Sequence, residues 1–266
     1  MKKLLVVALL LALGGTTRAA AQTVFRSTQS ANLSTATMLS GGNWLFEISH
    51  RFDTPIEQGI EAFWGIDGPV TYRLGLTFAP HERLMLNALR TNIQDNVELN
   101  AKFRAFTMDS TSFPLEVSAQ GGIAWNTDVV AFQGATDNEM QAYVQLLANA
   151  LIGERVAVGV VPTAFRNPRI LDVDEETVFV LGLQGQVYTD GAFSFFGEWI
   201  VSPERVGLEN DTGTFGVEIR TRGHFFKILV TNNSRMNPTH VFGGSLGDFS
   251  GDNLRLGFNL TRLLPF

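Results

Sequence analysis

The sequence predicts an all-β protein, an antiparallel up-and-down β-barrel of about twelve strands closing within a bacterial outer membrane. Three observations predict it. Apolar and polar residues alternate with period 2 in one segment after another. The connections between those segments are tight at one end and mostly long at the other. Lysine, the common coat of a soluble surface, is nearly missing: of four lysines in the chain, two are Lys2 and Lys3.

The N-terminal stretch has the grammar of a secretory signal peptide over 1–21. Lys2 and Lys3 form a positive start, Leu4 to Leu13 are an unbroken apolar run, and Ala19-Ala20-Ala21 offer small residues for cleavage near Ala21. The run is shorter than the ~20 apolar residues a spanning helix needs. The predicted mature chain starts at Gln22. Without Lys2, Lys3 and Arg18 it carries 17 basic residues against 26 acidic ones, a net charge of −9. That balance argues against a nucleic-acid partner. The chain has no cysteine, so an exported protein of this composition must hold itself by burial or by closed hydrogen bonding. No later segment is apolar for ~20 residues, which leaves a closed barrel as the way to span a bilayer.

The strands are predicted at 43–52, 70–79, 82–91, 96–106, 113–126, 137–151, 154–166, 176–188, 192–202, 212–222, 224–232 and 252–264. In the fourth, Val97, Leu99, Ala101, Phe103 and Ala105 share one face, and Glu98, Asn100, Lys102 and Arg104 the other. The last shows Leu254, Leu256, Phe258 and Leu260 against Asn253, Arg255, Asn259 and Thr261. The segment 137–151 also reads as an amphipathic helix. Tight connections fall near Pro80-His81, Gly153-Glu154, Asp190-Gly191 and Gly223, with TMDSTS (107–112) somewhat longer, and long ones at 53–69, 127–136, 167–175, 203–211 and 232–251, with 91–95 short. Short turns face the periplasm in this class of barrel. Aromatic belts are expected from Trp44, Phe78, Tyr188, Phe193 and Phe266 at the periplasmic rim, and from Tyr72, Trp125, Phe179, Trp199 and Phe215 at the outer rim. Phe258, Leu260, Leu264 and Phe266 form an alternating C-terminal pattern expected to be read by the barrel-assembly machinery.

From Val24 onward the chain resembles an uncharacterised family of outer-membrane barrels, the domain of unknown function DUF5777. The resemblance rests on FEISHRF (46–52), EAFWGIDGPVTYRLGL (61–76), RGHFFKILVTNNSRM (222–236) and LRLGFNLTRLLPF (254–266). It implies a barrel and an outer-membrane location, and no activity.

If the apolar face meets lipid, the lumen is lined by Glu47, Arg51, Arg73, Glu98, Lys102, Arg104, Glu116, Glu198, Glu218, Arg220 and Arg255. Two readings stay open. Glu98, Lys102, Arg104 and Glu116 could form ion-pair ladders that brace a narrow lumen, or the set could line a solute path with a charged constriction. The polar segment 22–42 is either a periplasmic tail or a plug in the lumen. The predicted external connections 53–69, 91–95, 127–136, 167–175, 203–211 and 232–252 hold 14 acids against Arg169, Arg205 and Arg235, with Asp172, Asp174, Glu175 and the adjacent Glu176 the densest group.

No phosphate loop, zinc cluster or dinucleotide fingerprint is present, so neither a cofactor nor a metal is expected. The four histidines, His50, His81, His224 and His240, have no serine partner by spacing, so no enzyme is expected. A narrow channel or transport barrel for small solutes is the first functional expectation. A lipid-modifying enzyme and a structural or adhesion barrel acting through acidic loops are the alternatives. Outer-membrane lipid, lipopolysaccharide and the assembly machinery are the expected partners.

Overall fold

The computed structural model describes residues 23–110, 113–128, 140–169, 176–202, 208 and 210–264. The predicted signal peptide, the Asp172–Asp174–Glu175 group and Phe266 lie outside them. Twelve strands follow one another: β1 (Trp44–Phe52), β2 (Val70–His81), β3 (Leu84–Thr91), β4 (Asn96–Met108), β5 (Leu115–Asn126), β6 (Met140–Ile152), β7 (Val156–Arg166), β8 (Thr177–Tyr188), β9 (Phe193–Val201), β10 (Thr212–Thr221), β11 (His224–Thr231) and β12 (Arg255–Leu264). Each pairs antiparallel with its sequence neighbours, and β1 pairs with both β2 and β12, so the sheet closes. The fold class and the strand count agree with the sequence. The helical alternative over 137–151 fails: from 140 onward that stretch is β6, whose Gln141, Tyr143, Gln145 and Asn149 are buried while Met140, Val144 and Leu146 are exposed.

Closure decides which face each side chain takes. On β1, Glu47, Ser49 and Arg51 are buried and alternate with Phe46, Ile48 and His50. On β4, Glu98, Asn100 and Lys102 are buried, whereas Leu99 is exposed. The polar row therefore faces inward and the apolar row outward, the inverse of a soluble barrel. Phe179, Trp125, Phe193 and Phe215 are exposed on that outer face. Trp44 and Phe78, cross-strand partners on β1 and β2, stack at 4.4 Å between ring centroids.

Tyr188 corrects the predicted aromatic belt. It lies at the turn end of β8 but faces inward and is 4% exposed. The parity of β8 also turns Val178 and Val180 inward, and Phe196 and Ile200 of β9 are buried likewise. One side of the lumen is thus apolar, and that patch receives the interior segments described below.

Tyr143 lies over a wall glycine. It sits opposite Gly122 on β5, and a Cβ on Gly122 would fall 2.6 Å from its ring. The phenol is fixed by a 2.7 Å hydrogen bond donated to Glu98, so it has little room to yield. Gly122→Leu is expected to destabilise the barrel by about 2 kcal/mol. Urea unfolding in lipid vesicles, followed by tryptophan fluorescence, measures this as a lower midpoint.

Candidate functional site

The interior of the barrel is occupied from both ends. From the turn end, residues 23–42 enter the lumen as a bent segment whose tip is at 30–33. Its bend is closed by Ser30 N–H donating to the Leu33 carbonyl at 2.8 Å and by a bridge between Gln29 and Ser34. Its side chains and backbone touch inward residues of β1, β4, β5, β6, β8, β9, β11 and β12, which places it inside the ring of strands.

A segment without a sheet partner must have its peptide groups satisfied by the wall. Glu198 does this for the tip. Its carboxylate accepts from the backbone N–H of Ala31, Asn32 and Leu33 at 3.0–3.1 Å and from Asn32 Nδ2 at 2.6 Å. Three successive N–H groups converging on one anion form a nest. Lysines take the carbonyls. Lys227 Nζ donates to Gln29 O at 2.7 Å and Ser30 O at 2.6 Å, and pairs with Glu218 at 3.2 Å. Lys102 Nζ donates to Thr35 O at 2.9 Å and Thr37 O at 2.8 Å. Neutral groups complete the set: Asn259 Nδ2 donates to Ala31 O, Gln184 Nε2 to Ser34 O and Ser118 Oγ to Ala36 O, while Asn149 Oδ1 accepts from Ala36 N–H. The only two lysines beyond position 3 are thus both clamps on this segment.

The wall makes steric room as well. Gly182 of β8 faces Leu33 of the tip, and a Cβ there would lie 2.9 Å from both Leu33 methyl groups. Leu33 joins Phe165, Val178, Val180 and Ile200 in a buried apolar cluster. Nearer the turn end, Val24 and Phe25 pack against Leu151, Ala157 and Tyr188.

From the loop end, the connection after β11 folds inward. It carries the short helix α1 (Pro238–Val241), all four of whose residues are buried. Glu98 accepts from Thr239 N–H at 3.3 Å and its hydroxyl at 3.2 Å. Phe242 meets the rings of Tyr143 and Phe165 edge-on at 5.5 and 5.9 Å. Arg73 donates to the Met236 carbonyl and forms a salt bridge with Glu47. The cavity left between segment 23–42, this connection and the wall holds about 30 Å³, room for a water molecule or so.

The predicted lumen residues fall into three places. Glu47, Arg51, Arg73, Glu98, Lys102, Glu116, Glu198 and Glu218 are buried in the lumen. Arg104 is half-buried at a bulge in β4. Arg220 is exposed at the turn-end mouth, and Arg255 lies at the loop end, donating to the Asp53 and Asn253 carbonyls. Of the C-terminal pattern, Phe258, Leu260 and Leu264 are on β12. The expected ladder among Glu98, Lys102, Arg104 and Glu116 is replaced. Among the described residues no ion pair joins them, because Lys102 is turned to the Thr35 and Thr37 carbonyls and Glu98 to Tyr143 and Thr239. Sequence reasoning gave no place in the lumen to Tyr143, His240 or Phe242. The run VFVLGL, apolar on both faces, and the inward Phe196 and Ile200 on either side of Glu198 in FFGEWIV were the signal that part of the lumen is apolar.

His240 is buried with Nε2 3.2 Å from Asn126 Oδ1 and, among the described residues, Nδ1 without a partner. Burial, with the Arg235 charge adding to it, pushes its pKa down to about 3. The docked loop therefore binds fewer protons than the undocked one between the ordinary histidine range and that value, and docking weakens as pH falls through this window. Hydrogen exchange over 232–254, corrected for intrinsic rates, is expected to rise at pH 5 relative to pH 7.5. His240→Gln is expected to abolish the difference. Removing the anion from the nest leaves three N–H groups unpaired, so Glu198→Ala is expected to weaken the seating of segment 23–42 by about 3 kcal/mol. The chain lacks cysteine, so Ala31→Cys provides a unique probe. Its maleimide labelling in the folded barrel is expected to accelerate when Glu198→Ala is added.

Among solved structures the barrel is similar to the KdgM porin, with 8% identity, 82% of this chain and 98% of that chain covered, and a TM-score of 0.50. It is also similar to the NanC porin, with 7% identity, coverage of 85% and 100%, and a TM-score of 0.48. The outer membrane phospholipase A from Escherichia coli gives 14%, 85% and 91%, and 0.40. At these identities the likeness concerns the fold alone. No functionally curated protein matches the chain. A family model described as a membrane-bound β-barrel domain matches residues 25–264, and the chain is a membrane β-barrel of the outer membrane belonging to that family, DUF5777.

Proposed function

We propose that this protein is a gated transport barrel for small polar solutes, closed at rest by segment 23–42 and by the loop after β11. The observation that carries the proposal is the chemistry of the closure. Segment 23–42 is held largely by hydrogen bonds to buried charged and amide side chains, which solvent can take over once it moves. A permanent filler would be served by apolar side chains. Twelve strands also stand between the small barrels that side chains fill and the wide porins.

The lipid-modifying alternative finds no support at the histidines. His50 faces outward with its ring 4.8 Å from that of Phe258. Its neighbour Ser49 faces the lumen and donates to Glu47. We therefore read the chain as a non-enzyme, needing no cofactor or metal, whose partners are outer-membrane lipid, lipopolysaccharide at the loop end and the barrel-assembly machinery.

The test is conductance in a planar bilayer. The full mature chain is expected to be closed with rare openings, and Glu198→Ala to open more often. A deletion of residues 23–40 is expected to give steady conductance. A deletion variant that migrates as a folded barrel in unboiled gels but stays silent would refute the proposal.

A further inference from the structure

The turn-end mouth holds a second feature, which segment 23–42 leaves unfilled. Beside that segment lies a cavity of about 550 Å³, within the size range of small-molecule sites. Three arginines line it from two separate parts of the chain: Arg26 from segment 23–42, Arg220 from the end of β10 and Arg222 from the turn that follows it. Among the described residues no acidic side chain lines it. Among the described residues, none of the three guanidinium groups has a carboxylate within ion-pair range, although other arginines of the chain are paired. Arg26 is oriented by stacking over the Tyr188 ring, with its guanidinium carbon 4.1 Å from the ring centroid. The rest of the wall is partly apolar, with Met38, Leu39, Leu45, Phe225 and Leu263.

Each part of this lining selects for one ligand property. Like charges gathered in one pocket without counter-charge repel one another, and an anion relieves that repulsion. Guanidinium forks match planar carboxylate and tetrahedral phosphate oxygens. The apolar wall gains from a body that removes it from water. We infer that the turn-end mouth is a binding site for a small organic anion, a phosphate or carboxylate carried on an apolar body. The site is a property of the resting barrel and holds whether or not segment 23–42 ever leaves the lumen, so it stands or falls apart from the transport reading.

The test is calorimetric titration of the full mature chain in a neutral detergent, with phenyl phosphate as the probe. Phenyl phosphate is expected to bind and phenol is not. The pair Arg220→Gln and Arg222→Gln is expected to lower the affinity about tenfold or more, as loss of charged hydrogen bonds requires. Arg26→Gln lowers it as well. Arg90→Gln, which removes a surface charge paired with Asp95 at the loop end, leaves it unchanged. Unboiled gel mobility establishes that each variant is folded. Dihexanoyl phosphatidic acid distinguishes the source of the anion: tighter binding than phenyl phosphate with the same arginine dependence assigns a lipid headgroup, and weaker binding assigns a free solute. The inference is overturned if phenyl phosphate does not bind, if binding ignores the arginines, or if inorganic phosphate binds equally well.

Discussion

Every polar peptide group inside a membrane barrel needs a partner, and the closed sheet supplies partners only to its own strands. A segment laid across the lumen cannot add itself to a ladder that is already complete. Its amides and carbonyls must be met by side chains projecting from the wall, one by one. That requirement accounts for the charge pattern of the interior better than ion pairing does. Glu198 is placed where three N–H groups converge, and Lys102 and Lys227 where carbonyls do. The amides of Asn149, Gln184 and Asn259 fill the remaining positions.

The division of labour between lysine and arginine follows from their shapes. An ammonium is a compact group with three donors that can be shared among carbonyls arriving from different directions. A guanidinium is a planar fork suited to a flat acceptor. Both lysines in the barrel serve carbonyls of segment 23–42. Arg73, by contrast, sets its fork on the Glu47 carboxylate, and Arg51 reaches the amide oxygens of Asn259 and Asn32. The scarcity of lysine was legible as a sign that the outer surface is not aqueous. That the two survivors would share one task was not, because it depends on where a distant segment rests.

The strands were readable for a simple reason. Period 2 is local, and closure forces one parity inward along each stretch between bulges, so the strands could be placed from alternation and turn residues, except that 137–151 also read as a helix. The contents of the lumen obey no such local rule. Tyr188 looked like a belt aromatic because tyrosine favours interfaces, yet its parity puts it inside, where it donates to the Val24 carbonyl and supports Arg26. The loop after β11 carries no periodic pattern, and its inward fold follows from tertiary partners, Glu98 for Thr239 and Tyr143 for Phe242. The polar face of β4 suggested a ladder because neighbouring opposite charges normally pair. Competing acceptors from outside the sheet took Lys102 instead.

The two closures are not independent, because Arg73 and an apolar cluster join them. Arg73 donates to Met236 of the loop, lies 3.5 Å from the Ala31 carbonyl of segment 23–42 and is held by Glu47. Leu33 of the tip shares its apolar cluster with Val241 and Phe242 of the loop. Removing the tip would expose Phe242 and leave the Arg73 fork with fewer acceptors, so the loop would be less firmly held. Undocking the loop would in turn strip the cover from Leu33. Coupling of this kind is reciprocal by thermodynamic necessity. Displacing either element would therefore loosen the other, with Arg73 and this apolar cluster as two of the contacts that carry the effect.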